Sequence, residues 1–272
     1  MIWILFILCL NVVYFSYRYV WWKPAVDYKY PRILMYHMIR DAIPGKKFNS
    51  LRVSPKNFER QVKYLYENGW QSYTISEALE QREVLPPKSV VITFDDGYKD
   101  NFTNALPILQ KYNFKATIYL VVNRHNRDWS GERKAKNAGA GLKDELKLSD
   151  YDINKLISSE LIEIGGHTMT HSNLNNLNKE QKEYQICQSK KEIEEKFSIE
   201  CNSFAYPFGI YDTKDKEIVQ KCGYTNAVTT KIGIADIKIC DIFEIPRITV
   251  SGKDNFFAFV LKLKNGKRGV KK

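Results

Sequence analysis

The chain opens on an apolar run, MIWILFILCLNVVYFSY, with no charged side chain before Arg18. After it, short apolar runs alternate with amphipathic stretches. RILMYH (32–37) and SVVITF (89–94) carry apolar residues without alternation, the pattern of strands buried on both faces. KATIYLVV (115–122), LIEIGGH, CNSFAYPFG, TNAVTT and FEIPRITV predict further strands, and SYTI a short one. Between them lie helix signatures. SPKNFERQVKYLYENGW has Ser54 as N-cap, Pro55 in the first turn and Gly69 at its end, with Phe58, Val62, Leu65 and Tyr66 at helical spacing. SEALEQ, NFTNALPILQKYN (interrupted or begun near Pro107), SDYDINKLISSE (capped by Ser149), NKEQKEYQICQSKKEIEEKF, DTKDKEIVQKCG and DNFFAFVLKLK follow the same logic. About seven strand-then-helix units without a long linker predict one α/β domain with a mostly parallel sheet. A polar stretch, 123–147, interrupts them and is expected to lie at the mouth of the fold.

The opening run has its own reading. Counted through Trp22 it reaches the roughly 30 Å needed to cross a bilayer, with Arg18 snorkelling and Tyr14, Tyr17, Tyr19, Trp21 and Trp22 as an interfacial belt. A cleavable signal peptide would need a basic start and a small-residue cleavage site, and neither is present. Leu8 before Cys9 does not suit a lipoprotein, and a buried core helix is the remaining alternative. The expected organisation is therefore a transmembrane anchor (1–22), a linker (23–30), the main domain (31–253) and a C-terminal helix with a basic tail (254–272). Arg18, Lys23, Lys29 and Arg32 all follow the run, which by charge alone favours a cytoplasmic domain.

Composition changes this little. At 44% hydrophobic and 27% charged the chain has material for a core, and the net charge of +11 is spread along it apart from the tail KLKNGKRGVKK. No nucleic-acid signature accompanies the charge, so a solvated surface explains most of it and no nucleic-acid partner is expected. The five cysteines have no C-x-x-C spacing and form no recognisable disulfide or zinc framework.

Chemistry concentrates at strand ends. Asp95 and Asp96 end SVVITF, His167 and His171 follow LIEIGG, and His37 ends RILMYH. Reactive residues at the ends of several strands favour a barrel over an open sheet. Histidines at i and i+4 share a face if the segment turns helically, and one carboxylate completes a three-ligand site with open positions. The other carboxylate is then free to act as a general base.

TFDDG together with HTMTH resembles the polysaccharide deacetylases with a NodB-type domain, carbohydrate esterase family 4, over roughly residues 30 to 250. The resemblance implies one catalytic domain of distorted (β/α)7-barrel type. It makes Asp95 the catalytic base and Asp96, His167 and His171 the ligands of one divalent metal, zinc first, with cobalt, nickel or iron also compatible. FAYPFG (204–209) stands where the family has Arg-x-Pro-Tyr, so Pro207 and Phe208 take the motif's place and the Phe208 amide becomes the oxyanion donor. Ala205 replaces the motif arginine, and no histidine follows His171. ILMYHMI and IPRITV resemble the circularly permuted branch that includes poly-N-acetylglucosamine deacetylases. That branch implies His37 as the catalytic acid and Arg247 as the partner orienting Asp95.

Tyr206 and Trp129 are candidate sugar contacts, and His125 is expected to be solvated. The implied function is metal-dependent removal of N-acetyl groups from amino sugars of a polysaccharide or glycolipid. A catalytically inactive glycan-binding module of the same fold is the alternative. The family works mostly outside the cytoplasmic membrane, which sets an extracytoplasmic expectation against the flanking charges. An N-acetylated glycan is the expected substrate, and no obligate protein partner is inferred.

Overall fold

The computed structural model describes residues 2–139, 141–267 and 269; part of the basic tail lies outside them. Helix α1 (Ile2–Tyr19) is followed by β1 (Arg32–Tyr36) and a small parallel pair, β2 (Met38–Ile39) with β3 (Arg52–Val53). Then come α2 (Pro55–Glu67), β4 (Gln71–Tyr73), α3 (Ile75–Glu80), β5 (Ser89–Phe94), α4 (Leu106–Tyr112) and β6 (Ala116–Leu120). The second half runs α5 (Asp150–Ile157), β7 (Ile162–Gly166), α6 (Lys179–Glu183), α7 (Ser189–Phe197) and β8 (Ser203–Ala205). It closes with α8 (Thr213–Lys221), β9 (Asn226–Ile232), β10 (Ile245–Thr249) and α9 (Phe256–Asn265).

Seven of these strands close into a parallel ring. The order is β1-β10-β9-β8-β7-β6-β5, and β5 returns to β1 with Leu34 opposite Ile92. Strand β4 pairs only with the first half of β5, beside β6, and so is an extra stave. Because side chains alternate across a strand, each strand feeds two layers. Ile33, Val91, Tyr119, Ala205, Val228 and Ile245 form one buried cluster inside the ring, closed by Ile75, Ala78 and Leu79 of α3. Leu34, Tyr36, Ile92, Phe94, Ile118, Ile164 and Phe204 face outward under Phe58 and Val62 of α2, Leu109 of α4, Ile193 of α7 and Phe259 of α9.

Local chemistry sets the helix starts as the sequence predicts. The Ser54 hydroxyl accepts from the Asn57 amide, and Ser149 forms a capping box with Asp152. Two helices depart from the expectation of regular turns. Asn101–Ala105 and Tyr184–Gln188 are π-helical segments, the first leading into α4 and the second joining α6 to α7.

The N-terminal expectation needs correction. Helix α1 stops at Tyr19, Val20 adopts φ +41°, and Trp21 and Trp22 lie in the turn beyond it. Its 18 residues span about 27 Å at 1.5 Å per residue, and no helix among the described residues is long and apolar enough to cross a membrane. Its side chains from Trp3 to Phe15 are largely exposed, while its end docks on α9. Phe15 stacks on Phe257 at 5.6 Å, and Tyr19 packs against Ala258 and Leu261. The cysteine reading also changes: Cys187 and Cys222 are joined in a disulfide, tying the second π segment to the end of α8. Their 35-residue separation and irregular spacing carried no signal for this pairing.

Candidate metal centre and active site

Asp95 and Asp96, His167 and His37 follow the C-terminal ends of barrel strands β5, β7 and β1. Alternation along β5 puts Val91 and Thr93 on the inner face, so Asp95, one residue past the strand, continues inward. The Arg247 guanidinium on β10 grips it from across the mouth, donating to Oδ1 at 2.6 Å and Oδ2 at 2.7 Å. Arg247 is held in turn by the Thr93 hydroxyl and the Thr229 carbonyl, both at 2.9 Å, and is fully buried. Burial raises the Asp95 carboxyl, but this two-pronged pair, helped by the nearby His37 and His167 rings, outweighs it and holds the group below the usual carboxylate range.

The next residue turns differently. Asp96 has φ +77° and Gly97 φ +68°, so the chain abandons strand geometry and brings a second carboxylate to the mouth. A side chain at Gly97 would lie 2.8 Å from Leu120, which is why the turn takes glycine. Asp96 Oδ1 lies 3.1 Å from His171 Nε2 and 3.5 Å from His167 Nε2. Burial pushes the Asp96 carboxyl up, and the imidazoles around it override this and carry it well below its ordinary value.

The two histidines converge, and without a helical turn. Residues 168–170 form a turn in which Thr168 (φ +68°) and His171 (φ +57°) are left-handed. The Thr168 hydroxyl accepts from the His171 amide at 2.9 Å. Gln185, on the second π segment, braces the loop from outside: its carbonyl accepts from the Met169 amide, and its Oε1 accepts from the Thr170 amide at 3.0 Å. His167 Nδ1 lies 2.7 Å from the Ala205 carbonyl, so it carries the proton and leaves Nε2 as the ligand atom. Burial lowers the His171 pKa, favouring the neutral ring a metal ligand must have.

These residues fit a divalent cation. One ligand atom from each of Asp96, His167 and His171 falls within 4.8 Å of the others, all three residues are buried, and Asp96 Oδ1 and His171 Nδ1 have no hydrogen-bond partner. A buried polar atom left without a partner is costly, and an ion satisfies the carboxylate oxygen.

Other predicted residues are placed as follows. His37 follows β1 at the same rim and is close enough for its charge to bear on both Asp95 and Asp96. Phe208 has φ +59° and sets its ring 4.4 Å from His171; the tight turn continues through Gly209, where a side chain would strike Thr230. Pro207 is buried beside it. Trp129 is only 2% exposed, with its ring 4.9 Å from His171, so it walls the metal centre and offers no open face to a sugar. Tyr206 does not reach the site: it stacks on Tyr211 at 4.1 Å within the outer core. His125 lies on the rim of a polar cleft of about 510 Å³, with Asp128, Trp129, Glu132, Thr170 and Ser172.

Trp129 and Lys147, from the polar stretch, lie against the mouth. The Leu148 amide donates to the Gly97 carbonyl, and Lys99 to Leu146. Lys147 places its ammonium over the rings of Tyr98 (4.3 Å) and Trp129 (4.7 Å), and burial lowers its pKa to about 8. Sequence reasoning missed Lys147 and Gln185, which carry no motif. Tyr98 adjoins TFDDG and was visible only by that adjacency.

The closed parallel barrel carries a buried Asp-His-His cluster at its strand ends, and comparison with known proteins gives that arrangement a family. The family profile for polysaccharide deacetylases matches residues 82–227, and the chain belongs to this NodB-type family, carbohydrate esterase family 4. It is 33% identical over 234 residues to YxkH of Bacillus subtilis, a protein assigned as a polysaccharide deacetylase, covering 85% of this chain and 75% of that one. It is 27% identical over 254 residues to the poly-beta-1,6-N-acetyl-D-glucosamine N-deacetylase of Staphylococcus aureus, covering 86% and 82%. The crystal structure of a polysaccharide deacetylase from Bacillus cereus superposes with a TM-score of 0.72 at 28% identity, covering 86% of this chain and 69% of that one.

Proposed function

We propose that this protein hydrolyses the N-acetyl groups of N-acetylglucosamine-type residues in a polysaccharide or glycolipid, using one divalent cation, with zinc the best match to two imidazoles and a carboxylate. The observation that carries the reading is the division of labour between neighbours: Asp95 is paired with Arg247, while Asp96 faces two imidazoles. When bound, the cation supplies Lewis acidity to the carbonyl and to water. Asp95, oriented by Arg247, accepts the proton of the attacking water. The Phe208 amide donates to the developing oxyanion, and His37 delivers a proton to the departing amine. Acetate and a free amino sugar result. The polar cleft beside Trp129 and Thr170 is suited to adjoining sugar rings. The name of the staphylococcal relative supports a poly-N-acetylglucosamine-type substrate.

We place the catalytic domain on the extracytoplasmic side. The Cys187–Cys222 disulfide supports that reading, because such bonds persist in oxidising compartments. The test of function is Asp95→Asn, assayed for acetate release over a panel of acetylated glycans. Acetate release should fall by about 100-fold or more with metal affinity retained by calorimetry. Equal inactivity of the wild type and the variant on every glycan would instead indicate the binding module.

A further inference from the structure

We propose that Asp100, Asn101 and Asn104 are positioning residues that hold His37 at the reacting centre. His37 sits where β1 has ended and β2 has only one partner, so the backbone groups on the free edge of His37 and Ile39 lack a strand to bond to. One helical segment supplies all three missing partners. Asn101 Nδ2 donates to the His37 carbonyl at 2.8 Å, Asp100 Oδ1 accepts from the Ile39 amide at 2.8 Å, and Asn104 Nδ2 donates to the Ile39 carbonyl at 2.7 Å. Asn101 also donates to Asp100 Oδ1 at 3.3 Å, so the first two act as a unit.

The segment is special in two ways. Asp100 lies just after TFDDGY, so the clamp and the Asp95–Asp96 pair belong to one short stretch of chain. Asn101–Ala105 is π-helical, a geometry found often at functional sites. Asp100 and Asn101 are buried, where polar side chains cost free energy unless hydrogen-bonded, and the bonds to His37 and Ile39 offset that cost. The result is that the acid is referenced to the same element as the base and the metal-ligand carboxylate. A misplacement of about 1 Å can cost on the order of 100-fold in rate.

This inference rests on His37 being the acid of the proposed reaction, and the experiment separates the two. An amide needs a proton delivered to its leaving amine, whereas 4-nitrophenyl acetate leaves without one. In the zinc-loaded full chain, Asn101→Ala should lower kcat on an N-acetylglucosamine oligomer by on the order of tenfold, with KM within about twofold and aryl-acetate hydrolysis little changed. Asn104→Ala, at a less buried position, should show the same split more weakly. His37→Ala sets the full size of the split. If both substrates slow together in the asparagine variants, or neither slows, while His37→Ala gives the split, the clamp is overturned and the acid assignment stands.

If His37→Ala gives no split, the acid assignment fails and a structural readout decides the clamp. The chain has four histidines, so histidine-labelled carbon spectra are simple. Asn101→Ala should move or broaden the His37 resonance and leave the His125, His167 and His171 signals in place. An unmoved His37 signal overturns the proposal.

Discussion

Asp95 and Asp96 are adjacent in sequence, yet their surroundings give them different charges to work with. Asp95 meets a guanidinium that cannot lose its proton, through two hydrogen bonds in a buried setting. Burial raises the carboxyl, and the arginine, joined by the His37 and His167 rings, lowers it further than burial raises it. Arg247→Gln removes the largest lowering influence and leaves burial opposed only by the two imidazoles, so the carboxyl should rise. A general base works only when deprotonated, and so the acid limb of the kcat/KM profile should move to higher pH, by about one unit or more. Activity near neutrality should fall and recover in part as the pH is raised. A pH–rate profile checks this, and an unmoved acid limb would show that Arg247 does not set the charge of Asp95. Arg247 was foreseen only through the permuted branch of the family, since nothing in IPRIT itself says that an arginine on β10 faces a carboxylate on β5. Tyr206 failed as a sugar contact for a simpler reason. It follows Ala205 just past the end of β8, and the inward place belongs to Ala205, which the sequence could not reveal without the direction of the barrel wall.

Two π segments brace the active site. Asn101–Ala105 holds the His37 strand, and Tyr184–Gln188 holds the loop that carries both histidine ligands. In the second, Gln185 bonds the amides of Met169 and Thr170 and the Thr170 hydroxyl, midway between the two ligands. A loop with two left-handed non-glycine residues is strained and persists only because its surroundings fix it. Gln185→Leu keeps the bulk and removes the side-chain acceptor. It should weaken zinc binding by about 10-fold, measured by competition with a chromogenic chelator, while the thermal midpoint moves only a few degrees. Unchanged affinity would mean that the loop holds its shape without the glutamine. The main strands and most helices were legible because apolar runs, N-caps and prolines are local signals. The π segments were not: NKEQKEYQICQSKKEIEEKF reads as one regular helix, and an extra residue in a turn leaves the apolar spacing nearly intact. The conformation of the HTMTH loop was not legible for the same reason, since i, i+4 spacing fits a helical turn and a strained turn equally well.

On the scale of the whole molecule, the barrel brings residues from His37 to Arg247 to one rim, and its closure by β1 against both β5 and β10 makes that rim continuous. The parallel architecture was visible in the alternation of strands and helices, but ring closure is a long-range event with no local signature. The same holds for the Cys187–Cys222 bond, which links the brace of the metal loop to α8 across a 35-residue separation. Constraining a loop of that size removes disorder from the unfolded chain worth about 3–4 kcal/mol in the chain-entropy account. Reduction by dithiothreitol and the double substitution Cys187→Ser with Cys222→Ser should therefore lower the urea midpoint by the same amount. The reductant should have no further effect on the double variant. Because one half of the bridge lies two residues from Gln185, the loss should also be felt at the metal: zinc affinity should fall in the double variant, and by less than in Gln185→Leu. A midpoint insensitive to reductant in the wild type would mean that the two thiols are not joined in the protein as made. The oxidising compartment inferred for the catalytic domain would lose its support in that outcome, whereas the barrel and its metal centre, which rest on other residues, would stand.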